Sequence, residues 1–486
     1  MTWRTGVLAL ALHGLCLPSA VQAMGPAAAR VPANAQPEAQ AQAQAQSQTQ
    51  TQAPAADATL ASVVAQLGLP PVAPTREVIG ALPALQAAKA GIDLAQARAQ
   101  RLQAGVHEWA LKAGVQQRSE TAGDRYVETD LALERGVRLG QKAQTDLALG
   151  AMGVNVGQNA YADLWHETVR TLVQAWFEAR RQRATVEVLT RQNALAQSQL
   201  RVAQRRVRAG EAARLDEMMA QAEAQRAAGT LAQALGRLEV MRQELRLRYP
   251  GLALDALAPS AAAESPDAFA SNTATHAATH AGATNDTALG ADAGVPAMPE
   301  TEAVWLQRIM ADNHEIELAQ AEAQQARLFA QRAQLDTRAD PLVGVRAARE
   351  RGGSENIVGL YFTVPLTGAL RQADARAAQA QADAAEQRLA QTKQRVEAAA
   401  QRAVLQATHT RQAWERQHQV AQAMSRVAQL SAKAYALGEV SLTESLQAQR
   451  QALEAGLAAQ SARWEALEAL TRLLVDAHQL WSADEH

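Results

Sequence analysis

KAYALGEVSLTESLQ, Lys433 to Gln447, interrupts two helical patterns at Gly438, and its reading decides the fold. An earlier stretch, VRAGEAARLDEMMAQ from Val207 to Gln221, interrupts two more at Gly210. Aligning Gly210 on Gly438 sets Asp216 on Glu444, Met218 on Leu446, Ala220 on Ala448 and Gln221 on Gln449 without a gap. Both turns therefore hold the same place in a duplicated unit, one far longer than a solenoid repeat.

Upstream of the two turns, helical patterning runs from Lys142 to Arg208, punctuated by Gly150, Gly153 and Gly157, and from Arg371 to Leu437. Each run covers 67 residues, and a helix of that length spans roughly 100 Å. A shorter helix returns after each turn. The first carries Leu231, Leu235, Leu238 and Leu245 on one seam and stops at Tyr249-Pro250-Gly251, where proline cannot continue it. The last carries Leu446, Leu453, Leu457, Trp464, Leu467 and Leu474, the spacing of a coiled-coil seam.

Before each long helix the period changes to the two-residue alternation of strands. Trp109, Leu111, Ala113 and Val115 alternate with Ala110, Lys112, Gly114 and Gln116. After the turn cluster Ser119 to Asp124, Val127, Thr129, Leu131 and Leu133 alternate with Glu128, Asp130, Ala132 and Glu134. The second half offers LVGVRAA from Leu342 and IVGLYFTVPL from Ile357 to Leu366, joined by the turn ERGGSEN. A helical pattern precedes each strand pair, from Arg76 to Gly105 and again in HEIELAQAEAQQARLFAQRAQ.

Arg4, the apolar run Gly6 to Leu17 and Val21-Gln22-Ala23 predict an export signal over residues 1–23. Cys16, the only cysteine, lies inside it and follows Leu15 rather than a small residue. Ordinary cleavage near Ala23, with no disulfide and no thiolate site in the mature chain, is expected. Residues 24–75 read as an Ala/Gln-rich linker with no apolar face to bury. Residues 76–251 form the first repeat, 252–300 a disordered or surface insertion, 301–481 the second repeat and 482–486 a tail.

The formal net charge is -2, which argues against nucleic-acid binding and a polybasic membrane patch. Composition rich in Ala, Gln, Glu and Arg favours long helices, and no later stretch has the apolar length of a membrane helix. His107, His166, His314, His409, His418 and His478 are scattered, and no nucleophile, metal cluster or phosphate loop stands out. His276 and His280 lie in the insertion without a helix to hold their spacing. No enzyme activity, catalytic residue, metal or cofactor is expected.

The expected fold is mainly α with a small membrane β part. Long antiparallel helices, kept close by alanine, would form a cylinder wall rather than a globule. Strands apolar on one face and polar on the other suit an outer-membrane barrel, with Trp109, Tyr126, Tyr361 and Phe362 as girdle aromatics. Four strands cannot close, and open edges in lipid leave backbone groups unpaired. Sharing between subunits follows, and a trimer supplies twelve strands. The alternative is a soluble sheet capping a coiled coil, as in periplasmic adaptor or scaffold proteins.

From about Arg76 to Trp481 the chain resembles the TolC-like outer-membrane efflux protein family. The resemblance is carried by VPLTGALRQADARAAQAQ, ERGVRLGQKAQ, AYALGEVSLTESLQAQ and RVRAGEAARLDEMMAQ. It implies a homotrimeric exit duct without cofactor, in the outer membrane of a Gram-negative cell and extending into the periplasm. It further implies docking on a periplasmic adaptor and an inner-membrane pump, with the duct closing at its tip. In the family, acidic residues six positions after the turn glycine constrict that tip; Asp216 and Glu444 stand there. The archetype's further acid and its basic partner are replaced by Gln447 and Val440, so its salt-bridge lock is expected to be absent. Rings of Asp216 and Glu444 would attract cations, while Ser441-Leu442-Thr443-Glu444 is also a capping box; the two roles are compatible. The exposed turn residues Gly210, Glu211, Arg214, Gly438, Glu439, Val440 and Ser441 are the expected adaptor-docking tips. The transported substrate leaves no mark on the sequence.

Overall fold

The computed structural model describes residues 64, 67–119, 121, 123–258, 294–298, 300–366 and 368–481. The expected export signal, most of the Ala/Gln linker and the body of the insertion, including His276 and His280, lie outside the described residues. The duplication expected from the turns is visible element by element. In the first half, α1 (Val72–Gly80) and α2 (Pro83–Ala104) lead to β1 (Ala110–Ser119) and β2 (Arg125–Gly136). Then come α3 (Lys142–Arg208) and α4 (Arg214–Arg248). The second half repeats the order with α5 (Glu302–Ala311), α6 (His314–Asp336), β3 (Leu342–Glu350), β4 (Glu355–Thr363), α7 (Ala369–Leu437) and α8 (Leu442–Asp476).

Three features differ from the sequence expectation. The leading helix is broken, because Pro83 begins a new helix instead of continuing the old one. The glycines of α3 do not interrupt it. A Cβ at Gly150 would sit 3.0 Å from the Ala99 backbone of α2, so glycine serves close helix approach there. Ordered packing also begins before Arg76: Val64, Leu67, Leu69 and Thr75 are buried, and Gly68 O accepts the Trp176 indole N–H at 2.9 Å.

α3 packs against α2, α4, α6 and α8, whereas α7 packs against α5, α6 and α8. The main core surrounds the middle of α3, where Trp165, Leu172, Trp176 and Phe177 meet Ile79, Leu245, Tyr249, Trp464 and Leu467. Leu257 and Val295, at the two ends of the insertion, belong to the same core. The Ala256 carbonyl accepts Arg180 and Arg183 at 2.7 Å each. Farther along, the seam between α3 and α4 is built from Ala196, Ala224 and Ala227, the small-residue contact that lets long helices lie close.

The four strands form one antiparallel sheet in the order β1-β2-β3-β4, so β1 and β4 are its edges. Register puts Leu111 opposite Leu133, Ala113 opposite Leu131, Val345 opposite Leu360 and Ala347 opposite Val358. That face is bare: Val115 is 75% exposed, Val358 78% and Leu360 71%. The other face is polar and internally paired. Lys112 bridges Glu134 at 2.6 Å, Arg118 bridges Glu128 at 3.1 Å, and Tyr361 donates to Glu134 at 2.5 Å. Trp109 and Phe362 stand exposed, whereas Tyr361 is drawn onto the polar face by Glu134. Tyr126 pairs with Arg118 on that polar face; neither tyrosine joins the apolar face as expected.

Sheet and helices are tied by one charged cluster linking the two halves. The buried Lys142 ammonium donates to Asp340 Oδ1 and the Arg338 carbonyl at 2.7 Å each, and lies 3.2 Å from Asp336. Asp340 also accepts the Leu139 N–H at 3.1 Å and faces His107 at 3.0 Å. Burial works to raise the Asp340 pKa, but the hydrogen bonds from His107, Lys142 and Leu139 outweigh it and hold the carboxyl below its usual range. Asp146 completes the clamp, taking Arg332 Nε at 2.6 Å and Arg138 at 3.0 Å. Replacing Lys142 with Met leaves Asp340 buried without its cation, a change that costs about 3–5 kcal/mol when a buried pair is broken. A denaturant titration of the purified protein is expected to show that loss, with Lys142→Arg retaining part of it.

Candidate functional site

The two helix tips are built alike. α3 ends in a turn where Gly210 takes φ +74°, and α7 ends where Gly438 takes φ +81°. Gly210 N–H donates to Val207 O at 3.1 Å and Glu211 N–H to Arg206 O at 2.9 Å. Gly438 N–H and Glu439 N–H repeat the pattern on Tyr435 O at 3.0 Å and Ala434 O at 2.9 Å. This is the Schellman arrangement, which reverses the chain while satisfying the last helical carbonyls. A Cβ at either glycine would meet nothing within 4 Å. Glycine is thus required by the left-handed φ and not by crowding.

Beyond the turns the two tips diverge. Asp216 and Glu444 both occupy the third position of their helices. At α8 the Glu444 carboxylate accepts Ser441 N–H at 2.9 Å and the Ser441 hydroxyl at 3.1 Å, while Glu444 N–H donates back to Ser441 Oγ at 3.2 Å. The capping box is complete. At α4 the capping position is Ala213, which has no side-chain acceptor. Glu444 is exposed but folded back on its own helix; Asp216 is half-buried.

Gly210, Glu211, Arg214, Gly438, Glu439 and Ser441 are all exposed, and Val440 is half-buried. The first tip carries both signs of charge. Arg205, Arg206 and Arg208 crowd the last turn of α3, and Asp216 and Glu217 the first turn of α4, each favourably placed against its helix dipole.

Contacts that the sequence did not suggest join the two hairpins just above the tips. The Arg206 guanidinium lies over the Tyr435 ring at 5.1 Å. Gln199 Nε2 donates to Gln449 Oε1 at 2.7 Å, linking α3 to α8. Arg450 of α8 reaches Glu223 of α4 at 2.6 Å. The available signal was position: Arg206 and Tyr435 each lie within one turn of a reversal glycine. The histidines also differ from expectation. His166, His314 and His478 are not scattered, since their rings converge beside the main core.

Among solved structures, the chain resembles the Campylobacter jejuni CmeC outer membrane channel with 13% identity and a TM-score of 0.61, covering 88% of this chain and 87% of that one. It resembles CusC, described for transmembrane channel formation, at 12% identity and TM-score 0.65, with 83% and 91% covered. The open state of the Neisseria gonorrhoeae MtrE outer membrane channel aligns at 15% identity and TM-score 0.58, over 82% and 87%. The protein therefore has the fold of these outer-membrane channels. No family model and no curated protein matches the chain.

Alanine at Gly438 or at Gly210 is expected to destabilise its tip by about 1–2 kcal/mol, the cost of a left-handed residue bearing Cβ. Ser441→Ala is expected to cost about 0.5–2 kcal/mol through loss of the cap. Hydrogen exchange over 206–220 reports the Gly210 variant and over 436–450 the other two, with fraying confined to the start of α8 in the serine variant.

Proposed function

We propose that the protein is the outer-membrane exit channel of a tripartite efflux system, assembled as a homotrimer and gated at its helix tips. The sheet carries the proposal. Its bare apolar face and two unpaired edges suit a barrel shared among copies, with hydrocarbon outside and the ion-paired polar face lining water. Three copies would contribute twelve strands and pair every edge. The long helices α3 and α7, of 67 and 69 residues, would carry the lumen about 100 Å away from the membrane. The fold shared with CmeC, CusC and MtrE supports the same assignment. Two hairpins and a sheet with an uncovered apolar face give the soluble adaptor alternative no support.

Transport through such a duct is passive, and no catalytic group is required. The exposed turns at Gly210, Glu211 and Arg214 and at Gly438 to Ser441 offer backbone groups and short side chains to a periplasmic adaptor. The adaptor would couple the duct to an inner-membrane pump. Asp216 and Glu444 form the acidic constriction in this scheme, but unequally. The Glu444 carboxylate is held by its cap, so Asp216 provides the larger share of the field at the pore.

Reconstitution in planar bilayers tests the proposal. Discrete conductances from a heat-modifiable trimer are expected, and a soluble periplasmic monomer would overturn it. Asp216→Asn is expected to reduce cation preference more than Glu444→Gln; equal effects would remove the inequality, and absent effects the acidic gate itself. Val358→Arg puts a charge on the lipid face, at a cost of about 2–4 kcal/mol near the midplane. Its level in purified outer membranes is expected to fall sharply.

A further inference from the structure

Three histidines far apart in the chain meet where α3, α6 and the end of α8 pack together. The His314 and His478 ring centroids are 4.5 Å apart, those of His166 and His478 5.0 Å, and those of His166 and His314 6.2 Å. His166 and His314 are each 7% exposed. The rings border a small cavity walled also by Trp165, Val169, Leu480 and Trp481. Among the described residues no group of three side chains can hold a metal ion. Three imidazoles in contact, two of them buried, are a place where proton binding changes the local charge.

The surrounding charges are divided between the imidazoles and nearby guanidiniums. From α3, Asp163, Glu167 and Arg170 face the site; from α6, Glu315 and Glu317; from α8, Arg472 and Asp476. Asp476 takes Arg170 Nε at 2.7 Å, has Arg472 at 3.8 Å, and lies 3.4 Å from His166 Nε2. One buried carboxylate thus serves two guanidiniums as well as an imidazole. Glu317 meets His314 Nδ1 at 3.1 Å, and Glu315 is paired with Arg395 of α7. Glu167 lies 3.7 Å from Arg170. Burial raises the pKa of Asp163.

The chain segment resting on this cluster is packed into the main core. His478 follows α8 with φ +55°, and Leu480 and Trp481 are each 3% exposed. The Trp165 indole N–H donates to the Trp481 carbonyl at 2.8 Å. We propose that the three histidines form a proton-sensitive latch that releases the segment His478–Trp481 from α3 when a second imidazole is charged. Two imidazolium rings about 5 Å apart would repel one another in a site of low dielectric, where Asp476 is shared with two guanidiniums and Glu317 reaches His314 alone.

Burial, the largest influence, depresses the His166 pKa despite the hydrogen bond with Asp476. A histidine depressed in the folded state binds fewer protons there than when unfolded. Its contribution to stability is therefore full above the unfolded value of about 6.5 and is lost as pH falls through and below it. The latch is independent of conduction and survives or fails without reference to the channel assignment.

Hydrogen exchange of residues 470–481 in the purified full-length oligomer tests it, with rates corrected for the intrinsic effect of pH. Between pH 7.5 and 5.5 the opening of this segment is expected to rise about tenfold, as for one imidazole that takes its proton only when the segment is open, while the tip residues keep their protection. His478→Gln and His314→Gln are each expected to flatten that rise to less than about threefold, and the two combined with His166→Gln to abolish it. His166→Gln serves as a further variant if either of the others is unfolded at pH 7.5. Protection that is unchanged by acid in the wild-type protein, or an acid response that stays at full size in the glutamine variants, would overturn the latch.

Discussion

A backbone hydrogen-bonding group without a partner is intolerable in hydrocarbon, and this sheet has two edges full of them. Its outer face is too apolar for water and its edge strands β1 and β4 are unpaired within one chain. Burying the face in lipid while leaving the edges open would trade one penalty for a larger one. Pairing β4 of one copy with β1 of the next removes both. The rest of the protomer conforms to that solution. The hairpins leave the sheet through a charged clamp at Lys142, Asp340 and Asp146, which sets the angle between strands and helices within the chain and, in the proposed assembly, would present the strands to the next copy at that angle.

Duplication builds both tips on one plan, but the two halves are no longer equivalent. The second tip has a complete capping box and a carboxylate committed to it. The first lacks a cap and is flanked by arginines. Stability and electrostatics have been divided between tips of the same backbone shape. The contacts of Arg206 with Tyr435 and of Arg450 with Glu223 then couple the two, so that a displacement of one hairpin is felt by the other.

Much of this was legible in the sequence because periodicity is a local property. α3 begins and ends at the residues its pattern indicated, the four strands alternate as read, and the reversal glycines adopt the left-handed conformation. What escaped notice depends on tertiary proximity. His166, His314 and His478 are separated by more than a hundred residues and converge only because the helices pack side by side. Tyr361 has the composition of a girdle aromatic, yet the carboxylate across the sheet decides its face. Val64, Leu67 and Leu69 sit next to a run with no apolar pattern, so their burial could not be inferred from that run. Aligning the two turns set Asp216 beside Glu444 and the family resemblance suggested their gate role, but their different environments appear only in the folded chain.

The paired anchors of the insertion carry a consequence for how this chain can change. Leu257 on one side and Val295 on the other are sunk in the same hydrophobic cluster, and two arginines of α3 grip the Ala256 carbonyl. The wall therefore feels the ends of that segment and not its length, and closing a longer loop adds only about 0.6 kcal/mol per doubling. Such a site is a natural graft point. A reporter, an affinity tag or an entire small domain could be spliced between the anchors while the helical register above and below stays untouched.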